Sequence, residues 1–395
     1  MMVPAAPVPT ILHLHSTFAA GGKELRSVQL INAFGQSADH AIVSADPARM
    51  EAARLISQDV TVAYITNFPS LRGRPGLRRL AAIARAMADY DLVCTYNWGA
   101  MDAVMAHRIF ATRYGLPPLI HHEDGFNEDE FLKLKRRRNW YRRIALKTAH
   151  RLIVPSRTLA AVARDVWRQP DERLARIGNG IAVDAFMQPP QPGILPLPAK
   201  REGEYWVGTL AGLRKVKNLP RLVRAFACLP ANWKLVILGE GPEEEAIRYA
   251  AERAGVSDRV HLPGFHADPA RYVGAFDIFA LSSDTEQFPI CVAEAMAAGL
   301  PIVSPAVGDV PDMVGDTNVP FIVPRGVDDA LSAALSHLAI DGELRAIIGR
   351  DNRHKAAAEF GEAQMTAQYR RQYWGAMEAA DASSRVHGMG GSPGT

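Results

Sequence analysis

Two glutamates at a fixed spacing, Glu286 and Glu294, are the residues of this chain best suited to do chemistry. Seven residues separate them, and between them Pro289 precedes an apolar run from Ile290 to Met296. Proline suits the first turn of a helix, where its missing N–H is not needed. The free N–H groups of such a turn, together with the positive end of the helix dipole, bind anions. The pattern therefore predicts a phosphate site with a carboxylate on each side, placed to accept hydrogen bonds from sugar hydroxyls.

A second candidate site is the loop from Val207 to Asn218, which follows one predicted strand and precedes a helix. It combines glycines with the cations Arg214, Lys215 and Lys217. Glycine lets the backbone approach a diphosphate closely, and the cations neutralise its charge. Taken alone, the loop would be interpreted as a solvated basic turn.

The segment from Glu286 to Pro301 resembles the signature of retaining GT-B glycosyltransferases of family 4. It contains a glutamate, Phe-Pro, Glu-Ala-Met-Ala, and then Gly-Leu-Pro before a strand. The resemblance extends over nearly the whole chain and is strongest from Val207 to Pro324. It implies an α/β protein of the GT-B type, with two Rossmann-like parallel-sheet domains facing across a cleft. The competing interpretation is an ordinary amphipathic helix with a solvated glutamate at each end.

The same resemblance implies roles for individual residues at the donor site. Lys217 matches the family lysine that contacts the donor diphosphate, whereas the family arginine position is occupied by Gly212, and Arg214, two residues away, is the candidate to compensate. Glu286 is expected to hold hydroxyls of the transferred sugar, and Glu294 the nucleotide ribose. The other donor-binding residues that it implies are Gly21, Gly22, Gly241, Phe265, Phe288, Pro289 and Ile290.

Ionisable residues follow a predicted strand at His121-His122-Glu123-Asp124. Open α/β sheets bind ligands at the carboxyl ends of their strands, and such a run is costly to bury. His121 matches the family histidine near the reacting carbon and joins Lys217 and Glu286 as a predicted catalytic residue. His122 and Glu123 are candidates for positioning the acceptor. A polar loop with one buried histidine is the alternative.

The stretch from Lys133 to Lys147 holds eight cations and two aromatic residues but no acid. A helix of this composition suits an anionic membrane surface or the phosphates of a lipid-linked acceptor. RNA binding is a rival, but no nucleic-acid-binding motif accompanies the stretch. A plain solvated helix is the third possibility.

Short apolar strands alternate with amphipathic helices along the chain, which is typical of parallel α/β sheets. Residues 188–203 are rich in proline and predict a semi-rigid linker. The expected domains are therefore an acceptor-binding domain at 1–187 and a nucleotide-sugar-binding domain at 204–362. A crossover helix at 363–380 and a disordered tail at 381–395 complete the prediction.

Composition narrows the class of protein further. The 395 residues are 48% hydrophobic and 22% charged, as in an ordinary globular protein. The net charge of +3 is too small to create an overall electrostatic attraction for nucleic acid. The three cysteines are far apart, and no apolar stretch approaches the length of a membrane span, so we expect a cytoplasmic protein. Asp89-Tyr90-Asp91 formally matches a metal motif, but a turn before a strand explains it. We expect neither a metal nor another cofactor.

The function that the resemblance implies is a retaining hexosyltransferase. It would move a sugar from a UDP- or GDP-sugar to a glycan or lipid-linked acceptor, in polysaccharide or glycoconjugate biosynthesis. Two alternatives stay open from the residues. One is a non-catalytic nucleotide-sugar-binding subunit, which Gly212 favours, and the other is an epimerase of the same fold.

Overall fold

The computed structural model describes residues 8–126, 130 and 134–389. The chain divides into two compact units. Unit 1 runs up to Gly178 and takes up the chain again from Thr366, and unit 2 comprises Asn179–Met365. Each unit is built around one parallel sheet, as the alternation of strands and helices predicted.

Unit 1 contains a seven-stranded parallel sheet whose strand order is β3-β2-β1-β4-β5-β6-β7. Its central strands are buried on both faces, because helices cover the two sides of the sheet. The order reverses at β1, which pairs with β2 on one side and β4 on the other. The strands are β1 Thr10–His15, β2 Asp39–Ser44, β3 Val62–Tyr64, β4 Leu92–Tyr96, β5 Leu119–His122, β6 Arg151–Val154 and β7 Leu174–Arg176.

The helices of unit 1 follow these strands and pack an apolar face on the sheet. Leu80 and Ile83 of the second helix and Val104 of the third lie in one core with Leu12 and Val93 of the sheet. The helices are α1 Gly22–Phe34, α2 Leu77–Ala86, α3 Met101–Tyr114, α4 Arg136–Ala145 and α5 Arg157–Asp165.

Unit 2 repeats the plan with a six-stranded parallel sheet of order β10-β9-β8-β11-β12-β13. Its strands are β8 Tyr205–Leu210, β9 Trp233–Leu238, β10 Val260–Gly264, β11 Ile278–Ala280, β12 Ile302–Pro305 and β13 Ile322–Val323. Its helices are α6 Val183–Phe186, α7 Leu219–Phe226, α8 Glu244–Arg253, α9 Ile290–Ala297, α10 Val310–Met313, α11 Asp328–Ile340 and α12 Gly342–Glu359. The order reverses between β8 and β11, and the loops that follow these two strands lie at this point of the sheet.

The boundary between the units lies upstream of the proline-rich segment that we expected to join them. That segment packs within unit 2, where Leu195 is buried in the core. The backbone N–H of Gln191 also donates to the carbonyl of Arg271 at 2.7 Å. Prolines that prevent a helix do not prevent packing, so composition placed the boundary too late in the chain.

The last helix, α13, spans Glu362–Met389 and is longer than the predicted crossover helix. Residues 381–389, expected to be disordered, are helical, whereas residues 390–395 lie outside the described residues. Within unit 1, Tyr369 and Tyr373 of α13 are buried. In the described ranges, none of the helices combines the length and the apolarity needed to cross a membrane.

Candidate active site

The loop that carries Glu286 links β11 to α9, and it ends where the proline pattern predicted. Pro289 is the N-cap residue, and α9 begins at Ile290. No acidic residue lies in the first turn of α9, and no side chain caps it. Its free N–H groups are therefore left for another acceptor.

Glu286 and Lys217 come from different loops and form an ion pair in unit 2. Lys217 Nζ lies 2.6 Å from Glu286 Oε1, and the hydroxyl of Ser283 donates to the same oxygen at 2.7 Å. The hydroxyl of Ser282 donates to the Lys217 carbonyl at 2.9 Å. The two predicted catalytic residues of unit 2 are thus brought together, just ahead of the first turn of α9.

Glu294 lies in the second turn of α9 and is largely buried. Among the residues described, no hydrogen bond or ion pair engages its carboxylate. Burial raises the pKa of the Glu294 carboxyl to about 7. Burial raises the pKa of the neighbouring Tyr272 to about 12, and the negative charge of Glu294 contributes to this shift. An unpartnered carboxylate in this place can accept hydrogen bonds from the hydroxyls of a ligand.

Gly212 occupies the position of the family arginine, and the side chain of Arg214 lies close to it. A Cβ at Gly212 would lie 3.5 Å from Nε of Arg214 and 3.8 Å from its Nη2, so the guanidinium of Arg214 folds back beside Gly212. Arg214 is exposed and Gly212 carries no side chain to exclude it. Compensation by Arg214 at the donor site stays a prediction.

The turn Gly239-Glu240-Gly241 packs against the loop that contains Gly212 and Arg214. Gly239 and Gly241 have φ values of 138° and 156°. The Leu213 carbonyl is so close to Gly241 that a Cβ there would clash with it at 2.5 Å. The Leu213 N–H donates to the Glu240 carbonyl at 2.9 Å. The glycines of this turn therefore have a packing reason that does not require a ligand.

The two phenylalanines predicted at the donor site differ in exposure. Phe265 follows β10 and is 67% exposed, so its ring is free to contact a ligand. Phe288 is buried and packs edge-on against Phe360 with the ring centroids 5.5 Å apart. Phe288 therefore anchors the loop of Glu286 in the core, which is a positioning role.

One residue that sequence reasoning missed is Gly308, in the turn after β12. It has a φ of 54°, and a Cβ there would meet the carbonyl oxygens of Glu286 and Gln287. The N–H of Asp309 donates to the Gln287 carbonyl at 2.9 Å. This turn packs against the backbone of the loop that carries Glu286 and holds it in place. In the sequence, the dipeptide Gly-Asp after a strand is the signal that predicts such a turn.

In unit 1, Gly21 is the N-cap residue of α1 and Gly22 is exposed at the helix start. Gly22 has open space where a Cβ would be, whereas a Cβ at Gly21 would meet the Glu24 carboxylate at 2.9 Å. Glu24 pairs with Lys23 and accepts a hydrogen bond from Thr17 at 3.2 Å. The first turn of α1 therefore already holds an acid close to its N–H groups.

The run His121-His122-Glu123 at the end of β5 is buried, contrary to the expectation that burial would be too costly, whereas Asp124 is only partly buried. His121 Nδ1 lies 2.8 Å from the hydroxyl of Thr95, and its Nε2 lies 3.6 Å from Glu123 Oε2. His122 Nε2 bonds to the Tyr373 hydroxyl at 2.9 Å, and burial lowers the pKa of His122 well below its usual value. Hydrogen bonds and ion pairs with residues that lie far away in the sequence offset the free-energy cost of burying these side chains. His122 and Glu123, the candidate acceptor residues, lie inside unit 1 with 0% exposure.

The basic stretch is divided between the interior and the surface, and Lys133 lies outside the described residues. Arg142 is fully buried and pairs with Glu123 at 3.0 Å and Glu130 at 3.3 Å. Its guanidinium also lies 5.0 Å from the ring centroids of Trp98 and Trp167. The expectation that the stretch presents its cations to a membrane surface or to acceptor phosphates is therefore wrong for Arg142, because Arg142 pairs with acids that lie outside the stretch.

No group of three or more His, Cys, Asp or Glu side chains is arranged to hold a metal ion among the described parts of the chain. Asp91 of the Asp-x-Asp sequence instead accepts a hydrogen bond from the N–H of Thr10, the first residue of β1, at 2.7 Å. This contact matches the strand-entry turn that we expected.

Two parallel α/β units with this strand order define a protein of the GT-B fold, and solved structures agree. The crystal structure of HepE from Anabaena in complex with UDP has a TM-score of 0.75 and is 21% identical. The match covers 92% of this chain and 98% of that protein. At this identity the likeness concerns the fold alone.

The sequence matches two family models, one over each half. Residues 20–185 match "Glycosyltransferase Family 4", and residues 196–355 match "Glycosyl transferases group 1". The chain therefore belongs to the group 1, family 4 glycosyltransferases.

Curated relatives match over shorter stretches. N-acetyl-alpha-D-glucosaminyl L-malate synthase of Bacillus anthracis is 27% identical over 44% of this chain and 46% of its own length. The lipopolysaccharide core biosynthesis glycosyltransferase LpsE of Rhizobium meliloti is 27% identical over 39% of this chain and 45% of its own length. The chain thus aligns with less than half the length of these relatives.

Proposed function

We propose that this protein is a retaining glycosyltransferase that moves a sugar from a nucleotide-diphosphate sugar to a glycan or lipid-linked acceptor. The observation that carries the proposal is the arrangement in unit 2. Lys217 and Glu286 are joined at 2.6 Å just ahead of α9, and Glu294, one turn into that helix, has no partner in the described part of the chain. This set supplies a cation and free N–H groups for a diphosphate, and two carboxylates for hydroxyls.

A solved structure of the same fold supports a nucleotide sugar as donor, and we propose a UDP-sugar or a GDP-sugar. HepE holds UDP in one crystal structure and UDP with glucose in another, both at a TM-score of 0.75 to this chain. The names of the two curated relatives concern a small malate conjugate and a lipopolysaccharide core. Family membership therefore leaves the acceptor open, and we place the reaction broadly in glycoconjugate biosynthesis.

The residues of unit 2 suit a reaction in which a diphosphate leaves the anomeric carbon. Lys217, Arg214 and the first turn of α9 would stabilise the negative charge that develops on the leaving group. Glu286 would hold hydroxyls of the transferred sugar. The departing phosphate would accept the proton of the acceptor hydroxyl on the same face of the sugar, which gives retention without a metal or other cofactor.

Slow hydrolysis of UDP- and GDP-sugars tests the proposal without knowledge of the acceptor. We expect the wild-type protein to release a nucleoside diphosphate from one sugar nucleotide in the presence of a chelator, and Lys217→Gln to release it far more slowly. With methanol as the acceptor, the methyl glycoside formed should keep the anomeric configuration of the donor when followed by NMR. Inversion would contradict the retaining mechanism.

A non-catalytic binding subunit is the second candidate, and the substitution at Gly212 supports it. Tight binding of a sugar nucleotide with no hydrolysis, and no transfer to any of a panel of acceptors, would favour this candidate. We expect Arg214→Gln to reduce hydrolysis in the enzyme, because Arg214 would supply the charge missing at Gly212.

We also propose that the exposed face of α4 contacts an anionic membrane surface, which would place the protein on the cytoplasmic face of a membrane. Arg136, Trp140 and Arg143 lie on one helical face, and Trp140 is 67% exposed. Each cation near such a surface contributes on the order of 1 kcal/mol. Changing Arg136 and Arg143 to Gln should reduce co-sedimentation with phosphatidylserine vesicles, and high salt should mimic the change. Binding that ignores both would count against the membrane contact.

A further inference from the structure

A cavity of about 480 Å³ opens in unit 1 between the loop after Leu71 and the start of α4. We call it the Trp98 cavity. It lies wholly within unit 1 and contains none of the predicted donor residues. The side chains that give it its chemistry are Arg72, Trp98, Asp102, Arg137, Arg138 and Tyr141.

The lining of the Trp98 cavity carries excess positive charge. Its acid, Asp102, is already engaged, since it pairs with Arg79 and accepts a hydrogen bond from the Tyr141 hydroxyl at 2.6 Å. Arg72 is 62% exposed and lies 3.4 Å from Asp46, which is a weak surface pair. Arg137 is exposed in the first turn of α4. Both guanidinium groups are therefore available to an anion.

Arg138 closes another side of the cavity in a fixed position. It donates to Glu130 at 3.0 Å, and its guanidinium carbon lies 4.9 Å from the ring centroid of Trp98. An arginine held in this way adds a positive charge at a fixed position on the wall of the cavity.

The helix start adds to this potential. The first turn of α4 contains Arg136, Arg137 and Arg138 and no acid. The positive end of the helix dipole favours acids and disfavours cations. The three arginines also repel one another here. An anion in the Trp98 cavity would relieve that repulsion.

A second, apolar cavity of about 470 Å³ adjoins the first, and the two share Leu71. It lies at the carboxyl ends of β2 and β3, where parallel sheets bind ligands. Met50, Tyr64 and Phe68 belong to its lining, and charged side chains are absent from the described residues around it. A ligand could thus place an anionic group in one cavity and an apolar part in the other.

We propose that the Trp98 cavity binds the phosphate group of a phosphorylated acceptor, a specificity that rests on the function proposed above. Arginine forks bind phosphate through paired hydrogen bonds, and several arginines match a dianion better than a single carboxylate. The phosphate belongs either to a soluble sugar phosphate or to a lipid phosphate whose chain enters the apolar cavity.

Fluorine NMR of the protein labelled with 5-fluorotryptophan tests the proposal locally, with inorganic phosphate as the probe. The Trp98 resonance is assigned by its loss in Trp98→Phe. We expect a saturable shift of this resonance with phosphate, and a dissociation constant raised by about tenfold or more in Arg72→Gln/Arg137→Gln. Both arginines are exposed, so circular dichroism should show this double variant folded.

Two matched controls separate this site from its surroundings. Arg143→Gln removes an exposed cation of the same helix, and Lys217→Gln removes the donor-site cation of unit 2. Both should leave the phosphate titration of Trp98 unchanged. If the Trp98 resonance does not shift, or shifts equally in the double variant, the proposal is wrong. Failure of the proposed donor chemistry would instead appear as absent sugar-nucleotide hydrolysis with the Trp98 titration intact.

Glucose 1-phosphate and farnesyl phosphate distinguish the two sources of the phosphate. A lipid source predicts that farnesyl phosphate shifts Trp98 at lower concentration and that Tyr64→Ser, in the apolar cavity, weakens only this ligand. A soluble source predicts tighter binding of glucose 1-phosphate, with no effect of Tyr64→Ser. If neither ester shifts the resonance, the cavity does not bind a phosphorylated acceptor.

Discussion

At the scale of single residues, the two glutamates of the α9 region are held in different ways. Glu286 is paired with Lys217 and bonded to Ser283, whereas Glu294 has no partner among the residues described. Burial acts on Glu294 without compensation and raises its pKa to about 7. The spacing of the glutamates in the sequence indicated a site, but it did not indicate this difference, which depends on side chains from other loops.

Replacing each glutamate separately should divide nucleotide binding from turnover. In Glu294→Ala the ribose would lose a charge-assisted acceptor of about 1.5–3 kcal/mol, so the affinity for UDP or GDP should fall roughly ten- to hundredfold. In Glu286→Ala the affinity for the free nucleotide should stay unchanged while hydrolysis of the sugar nucleotide slows. Isothermal titration calorimetry and a hydrolysis assay check this. Equal losses of nucleotide affinity in both variants would contradict the assigned roles.

The raised pKa of Glu294 also predicts a pH dependence of donor binding. Only the ionised carboxylate accepts two hydroxyls, and with a pKa of about 7 the free protein loses that form as the pH falls through neutrality. Affinity for a sugar nucleotide should therefore rise from pH 6 to pH 8, and the change should disappear in Glu294→Gln. The sugar nucleotide lacks a terminal phosphate that titrates near this range, which keeps the ligand's own charge constant. A pH profile shared by wild type and variant would contradict the prediction.

At the scale of elements, α4 combines an interior face and a surface face in one basic helix. Arg142 is buried between Glu123 and Glu130, whereas Arg143, the next residue, is exposed. The sequence predicted the helix but not this division. Glu123 precedes the stretch, and its pairing with Arg142 becomes visible only when β5 and α4 are folded together.

Substitutions in α4 should therefore differ sharply in their effect on stability. Arg142→Gln leaves the buried carboxylate of Glu123 without its cation and leaves Glu130 with Arg138 alone, and we expect the free energy of unfolding to fall by about 3–5 kcal/mol. Arg143→Gln should change it by less than about 0.5 kcal/mol, as is usual for exposed sites. Urea unfolding followed by circular dichroism measures both. Similar stability of the two variants would show that the Glu123–Arg142–Glu130 pairing does not stabilise the fold.

Element-level prediction succeeded where the signal was local and failed where it was not. Pro289 with the apolar run after it predicted the start of α9, because a helix start depends on neighbouring residues. The burial of His121 and His122 depends on Thr95 and Tyr373, which lie far away in the chain. The prediction that the proline-rich segment is a linker between the units was wrong for the same reason, since its contact with Arg271 is tertiary.

At the scale of the whole molecule, titratable rings are concentrated in the core of unit 1. His13 Nε2 lies 3.0 Å from His40 Nδ1, and His13 Nδ1 lies 2.9 Å from the Tyr96 hydroxyl. Burial lowers the pKa of His13 and His15 well below the usual 6.5, and it lowers that of His40 to about 4. Hydropathy could place β1 but could not show that its histidines meet those of other strands.

This concentration predicts that the protein loses stability in mild acid. Below pH 6.5 an unfolded histidine binds a proton that folded His40 does not bind until about pH 4. The free energy of unfolding therefore has its full value above pH 6.5. It declines as the pH falls below this value, by about 1.4 kcal/mol per pH unit for each such residue. Urea unfolding between pH 7 and pH 5 should show a shallower decline in His40→Gln. Parallel declines in the two proteins would contradict this account.

The end of the chain supplies part of unit 1, and this has a consequence for how the protein is made. Tyr373 bonds to His122 and Tyr369 is buried nearby, although both residues come more than two hundred positions after the strand that they contact. During synthesis, all of unit 2 leaves the ribosome before these tyrosines do. Unit 1 is synthesised first, but its last buried side chains become available only at the end. Chain segments usually fold in the order of their synthesis, and here that order is reversed for the final packing step.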